Sequence, residues 1–412
     1  MKGIVQFQHQ LHYSVYPTKK FKTTTCLVSF AAPLSAETVA DRALLPFIME
    51  KSTATYPSIE LFHTPLEELY DTNLYAGASK IGKEHVIQFQ LEVVNDHLVG
   101  EDVLSQAIEL LEDVLLRPNA YDGAFQPLIV EQERRLQRQR IESVYDDKMR
   151  FAQQRLQEML GGELAIPSLG TLEQLDHVTP KSLYAAYQSM IQHDRVDIYV
   201  VGDVNREQVE QAFNPLESLG TRRPRLLPEA SRGEFKRLEE HQDIKQSKLH
   251  LAYSLNVDPR TEAAIRMQVV NGLFGGFPHS KLFMNVREKE SLAYYAASQY
   301  SSLSRKLFVY AGIDASNQQK TEQIIEEQLN ALQAGEFEDE TLQQTKELLF
   351  HQRRQLGDSP RQLIAWMSGA DVRPFSLDEE MAIIENTTRD HVVALAKEME
   401  LEAVYCLKGG EA

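Results

Sequence analysis

Cysteine is scarce: the 412 residues hold two, Cys26 in "TTTCLVSF" and Cys406 in "AVYCLKG". That number excludes a Cys-rich metal site. One disulfide is arithmetically possible, but both residues lie in apolar, strand-like segments, which favours two buried reduced thiols. No window approaches about 18 consecutive apolar residues, so no membrane-spanning helix is expected. The N-terminal "MKGIVQFQHQLHYSVY" lacks the apolar run of a signal peptide, and the expected location is the cytosol. Positive charge is short as well, the formal net charge being −17. Nucleic acid and anionic membranes need basic surface, so neither is expected as the main partner. The 12 histidines include no His-x-x-x-His pair. His9 and His12 fall on an expected strand, where an odd separation sends them to opposite faces. Gly-x-Ser-x-Gly and the phosphate loop are missing too. "GLFGGF" (272–277) is Gly-rich but lacks the phosphate-loop Lys-Ser/Thr, and reads as a tight turn before the "HSKLF" helix.

What remains is a soluble globular composition, 42% apolar and 25% charged, in a chain long enough for two domains. Two strand-rich openings, residues 3–33 and 247–258, each lead into a helix, a strand pair and further helices. "HVIQFQLEVV" and "KLFVYAGI" supply the alternating and fully apolar runs of paired strands. Later in each half the same order recurs: a long charged helix, a break, a second helix, a helix opened by Thr179 or Thr388 as N-cap, and a closing strand. The stretch around 216–245 is rich in Pro, Gly, Arg and Glu without sustained period, and reads as a linker. The expected architecture is α+β, two copies of one antiparallel sheet packed with helices, over 1–215 and 246–412. Residues 43–58, "ALLPFIMEKSTATYPS", read as an amphipathic helix carrying Glu50.

The string "VVNGLFGGFPHSKLFMNVREKESLAYYAASQY" resembles the C-terminal domains of the pitrilysin and mitochondrial-processing-peptidase family of zinc proteases. The resemblance rests on Gly272, Gly275 and Gly276; on Ser280, Lys281, Leu282 and Phe283; on Arg287, Glu288 and Lys289; and on Leu292, Ala293 and Tyr294. It implies two homologous domains facing each other across a chamber, like a clam-shell. It also implies a zinc site of His-x-x-Glu-His on one helix plus a distal Glu from a later helix. Two imidazoles one helical turn apart ligate zinc together, the intervening Glu is the general base, and the distal carboxylate closes the shell.

Carried over position by position, those roles fall on Phe47, Glu50 and Lys51. The supporting and distal carboxylates fall on Glu133 and Arg140, with Glu131 or Glu142 as alternative registers. Phe cannot ligate and a protonated Lys repels Zn²⁺, so no catalytic residues and no zinc are expected. Lys51 and Arg140 would instead offset the charge of Glu50 and Glu133.

The substrate-binding signature is retained. In the family an Arg and a Tyr hold the substrate main chain, which implies that role for Arg287 and Tyr294. A solvated helix-end Arg and a sheet-packed Tyr294 or Tyr295 are the plainer readings. The family also binds substrate along a sheet edge, here Tyr75, Ala76, Gly77, Ala78 and Ser79; an ordinary edge strand with a Gly bulge is the alternative. The resemblance therefore implies an inactive, peptide-binding subunit partnering a zinc-bearing homologue. A peptide-binding homodimer without proteolysis and an active metallopeptidase with unconventional ligands are the other two readings.

Overall fold

A computed structural model describes residues 4–8, 11–219, 224–227, 229 and 232–409. His9, Gly410 and parts of the expected linker (220–223, 228, 230 and 231) lie outside the described residues. The chain divides into two compact units, neither of them a continuous stretch. The first comprises Met1–Ser143, Ile166–Leu226 and Leu356–Gly369; the second comprises Val144–Ala165, Leu227–Gln355 and Ala370–Ala412.

The first unit carries β1 (Val5–Gln8), β2 (His12–Pro17), β3 (Thr23–Pro33), β4 (Asn73–Ile81), β5 (Glu84–Val94), a two-residue hairpin β6 (Ala120–Tyr121) and β7 (Ala124–Phe125), and β8 (Arg195–Gly202). Its six-stranded sheet runs β1-β2-β8-β3-β5-β4, so β4 is an edge strand. The pairs are antiparallel except for β2 and β8. The β8 strand "RVDIYVVG" is buried along its whole length, which requires cover on both faces. Ile198 and Val200 enter the main core with Val28, Leu44 and Ile48. On the other face Tyr199, Val201 and Leu27 meet Leu363, Ile364 and Met367 of the helix Pro360–Met367.

The helix Val39–Met49 buries Ala40, Leu44 and Ile48 at four-residue spacing. It ends sooner than the expected stretch 43–58, with Glu50 as its C-cap. Beyond it Thr53 spends its side chain on local bonds, donating to Asp113 Oδ2 at 2.8 Å and accepting from the Tyr56 N–H at 3.0 Å. Such bonds compete with a helical backbone, and the chain bends away.

The second unit carries β9 (Lys236–His241), β10 (Ser247–Ser254), β11 (Ala293–Ser301), β12 (Lys306–Ile313) and β13 (Glu400–Lys408) in the order β11-β12-β10-β13-β9. β9 lies inside the expected linker and pairs parallel to β13, a correction to the reading of 216–245 as connection alone. The other pairs are antiparallel. β12 is buried throughout. One face joins the core built on Leu249, Leu251 and Val404. The other, with Phe308, Tyr310 and Tyr405, lies under Phe151, Ala152 and Leu156 of the helix Lys148–Leu160. Burying Phe151 and Leu156 contributes about 1.5–3 kcal/mol each.

Each sheet is thus completed by a helix from the other half of the chain. Thr179 and Thr388 both form capping boxes, accepting from the N–H of Ser182 and His391. The "GLFGG" segment is not a tight turn. The helix Glu262–Asn271 runs on into a π-helical turn, Gly272–Gly276. A Cβ on Gly272 would stand 2.6 Å from Thr345 Cγ2, and one on Gly275 would stand 2.7 Å from the Ser298 backbone nitrogen. These glycines serve close packing. Cys26 and Cys406 are buried and free, and burial pushes both thiols up to about 12. Among the described residues no helix is long and apolar enough to cross a membrane.

Candidate functional site

In the first unit, the end of the helix Val39–Met49 meets the long helix Pro127–Asp146 and strand β4. Phe47 and Lys51 are four residues apart, and Glu133, Gln137 and Arg140 follow at helical spacing on one face. The structure brings these residues together. Lys51 Nζ lies 3.5 Å from Glu50 Oε1 and 3.8 Å from Glu133 Oε1. Arg140 Nη2 lies 3.8 Å from Glu133 Oε2, and its guanidinium carbon sits 4.1 Å from the centre of the Phe47 ring. The second oxygen of Glu50, Oε2, accepts the Ala76 main-chain N–H at 3.0 Å.

Burial pushes the Glu50 carboxyl above its ordinary value, against the opposing pull of Lys51 and the Ala76 N–H. Glu133 is 4% exposed, and its Oε2 makes no hydrogen bond. Two partly exposed cations therefore face two mostly buried carboxylates, whose charge would be costly to leave unpaired. Gln137, fully buried, fixes the arrangement: it accepts from Arg140 Nη1 at 3.2 Å and donates to the Leu169 carbonyl at 3.2 Å. No sequence motif marks Gln137; its one signal is its place on the same helical face, between Glu133 and Arg140. The alternative registers lie elsewhere: Glu131 pairs with Arg134 at 2.6 Å on an exposed face, and Glu142 is exposed.

This donor set does not fit zinc. Phe47 has no lone pair to give, and the Lys51 ammonium stands against both carboxylates where a second cation would have to enter. Among the described residues no three His, Cys, Asp or Glu side chains gather in a way that could hold a metal ion.

The β4 segment runs in unbroken register against β5, from Asn73 opposite Glu92 to Ile81 opposite Glu84. Gly77, opposite Gln88, therefore forms no bulge. Ala76 is fully buried, Tyr75 is 64% exposed, and Gly77, Ala78 and Ser79 are half-buried.

In the second unit, Arg287 lies in a π-helical segment, Phe283–Lys289. Its guanidinium carbon stacks 4.7 Å from the Phe283 ring centre, and its Nε lies 3.5 Å from Glu288. Tyr294 follows on the edge strand β11. Ala293 pairs with Ile313 and Tyr295 with Gly312, so Tyr294 is the extra residue of a β-bulge, 64% exposed. Tyr295 differs, half-buried beside Lys248 with its hydroxyl lacking a hydrogen-bond partner. Arg287 and Tyr294 belong to the second unit, and the Glu50 cluster belongs to the first.

The family model described as "Peptidase M16 inactive domain" matches residues 177–349. The chain is 36% identical over 406 residues to "Probable inactive metalloprotease YmfF" of Bacillus subtilis (strain 168), covering 96% of this chain and 95% of that one. It is 30% identical over 189 residues to "Uncharacterized zinc protease YmxG" of the same organism, 45% of each. Among solved structures, a conserved protein from Enterococcus faecalis V583 superposes with a TM-score of 0.93 at 32% identity, covering 99% of both chains.

Proposed function

The chain belongs to the M16 peptidase family, and we propose that it serves there as a non-catalytic, peptide-binding subunit pairing with a zinc-bearing homologue. The observation that carries this reading is the cation cluster: Lys51 and Arg140 stand beside Glu50 and Glu133, and Phe47 fills the remaining ligand position. Such a centre holds no metal-bound water, so hydrolysis falls to a partner. The peptide-binding parts remain presentable. Arg287 and Tyr294 are exposed, the first offering a fork of donors and the second one hydroxyl to a peptide carbonyl. The β4 edge offers main-chain groups for strand addition, which gives affinity with little sequence preference. The likeness to a relative named a zinc protease supports the kind of partner.

The test is co-purification with a zinc-motif homologue, followed by peptidase assays of the pair and of each chain alone. The reading expects cleavage by the pair, none by this chain, and a fall of about tenfold or more on Arg287→Ala or Tyr294→Phe. Unchanged cleavage by both variants would overturn the shared site. Extended-peptide binding by this chain alone, as a dimer without any homologue, would favour the homodimer instead.

A further inference from the structure

We propose that Glu50 is a built-in occupant of the β4 edge, holding a main-chain position that an added peptide strand would otherwise take. In an antiparallel pair, the N–H and C=O of one residue point the same way, alternately toward the partner strand and away from it. The Ala76 N–H goes to Glu50 rather than to β5. Ala76 therefore faces outward, and at two-residue intervals so do Leu74, Ala78 and Lys80; Tyr75, Gly77 and Ser79 face β5. An incoming strand must register on the outward set, and Ala76 is in its middle.

Glu50 is well placed to hold that position. It caps the helix Val39–Met49, with Lys51 beside one oxygen and the Ala76 N–H on the other. Its carboxylate supplies the acceptor that a peptide carbonyl would otherwise provide, with a charge added. A peptide pairing across Ala76 must displace it, whereas one confined to either end of β4 need not. Glu50 thus sets both the strength and the register of strand addition. This inference rests on the peptide-binding reading given above.

The probe is a short, unstructured, fluorescein-labelled Val/Thr-rich peptide, with a control carrying N-methyl groups on alternate amides so that it cannot pair as a strand. Binding to the full chain is measured by fluorescence anisotropy for wild type, Glu50→Ala and Glu50→Asp. Aspartate keeps the charge beside Lys51 but is one methylene short of Ala76, so it guards against a folding defect in the alanine variant. The expected result is about tenfold tighter binding by both variants, the scale of one charge-assisted hydrogen bond, with no binding of the methylated control. Amide exchange at Ala76 should be slow in wild type and fast in both variants. Equal affinity in all three proteins overturns the inference and leaves peptide binding intact. Absence of binding in all three overturns the peptide-binding reading itself, and slow Ala76 exchange in both variants removes Glu50 as its protector.

Discussion

Acidification should weaken the second unit through one residue, His250 on β10. Its ring is fully buried, with neither nitrogen hydrogen-bonded, edge-on to Tyr310 at 4.9 Å between centroids. Burial, assisted by the nearby Lys248, lowers its pKa from the ordinary 6.5 to about 3. The folded state thus refuses a proton that the unfolded chain accepts. The stability is complete above pH 6.5 and is lost progressively as pH falls toward 3. At pH 5 the unfolded imidazole gains about 1.5 pH units of protonation free energy, about 2 kcal/mol. His250→Phe keeps the ring contact and forfeits no hydrogen bond. Urea unfolding followed by circular dichroism, at pH 7 and pH 5, gives the comparison. Between those conditions the variant should lose about 2 kcal/mol less than wild type, because the other titrating groups, His85 included, are common to both. Equal losses, or a folded-state His250 NMR titration near 6.5, would refute the reasoning.

Other outcomes follow from the Glu50 cluster and the helix exchange. The triple variant Phe47→His, Lys51→His, Arg140→Glu should retain close to one zinc per chain after dialysis, as measured by elemental analysis; a metal-free product would show that these positions do not converge on one ion. Glu133→Ala removes the carboxylate that both Lys51 and Arg140 approach, and should cost about 1–2 kcal/mol in thermal unfolding, less than a buried-pair loss because Lys51 keeps Glu50, Arg140 keeps Gln137 and both cations reach solvent. Leu156→Ala should cost about 2–5 kcal/mol. Its effect in hydrogen exchange should fall on β10, β12 and β13 rather than on β8, although Leu156 precedes β8 in the chain.

The legible parts of the molecule are those set by local periodicity. Residues four and seven apart on a helix share a face, so once the family resemblance singles them out, Phe47 falls with Lys51 and Glu133 with Arg140. Alternating "HVIQFQLEVV" and uniformly apolar "KLFVYAGI" became β5 and β12. Thr179 and Thr388 capped where their side chains predicted. What spacing cannot show is the destination of an apolar stripe. Phe151 and Leu156 look alike whichever sheet they cover, and nothing local assigns them to the second unit. Strand direction is similarly hidden in β9, whose residues "KRLEEH" alternate too weakly to announce a strand at all. The bond from the Ala76 N–H to Glu50 left no trace either, since every residue but proline carries a main-chain donor.

The exchanged helices bear on how the protein is made. Strand β8 ends at Gly202, yet the helix that covers its outer face begins at Pro360. A ribosome adding roughly 5–20 residues per second needs roughly 8–30 s to cross that interval. Throughout it Leu27, Tyr199 and Val201 stand uncovered on a nearly finished sheet. That surface is a natural client for a nascent-chain chaperone, and a truncated product ending before Pro360 would carry it permanently.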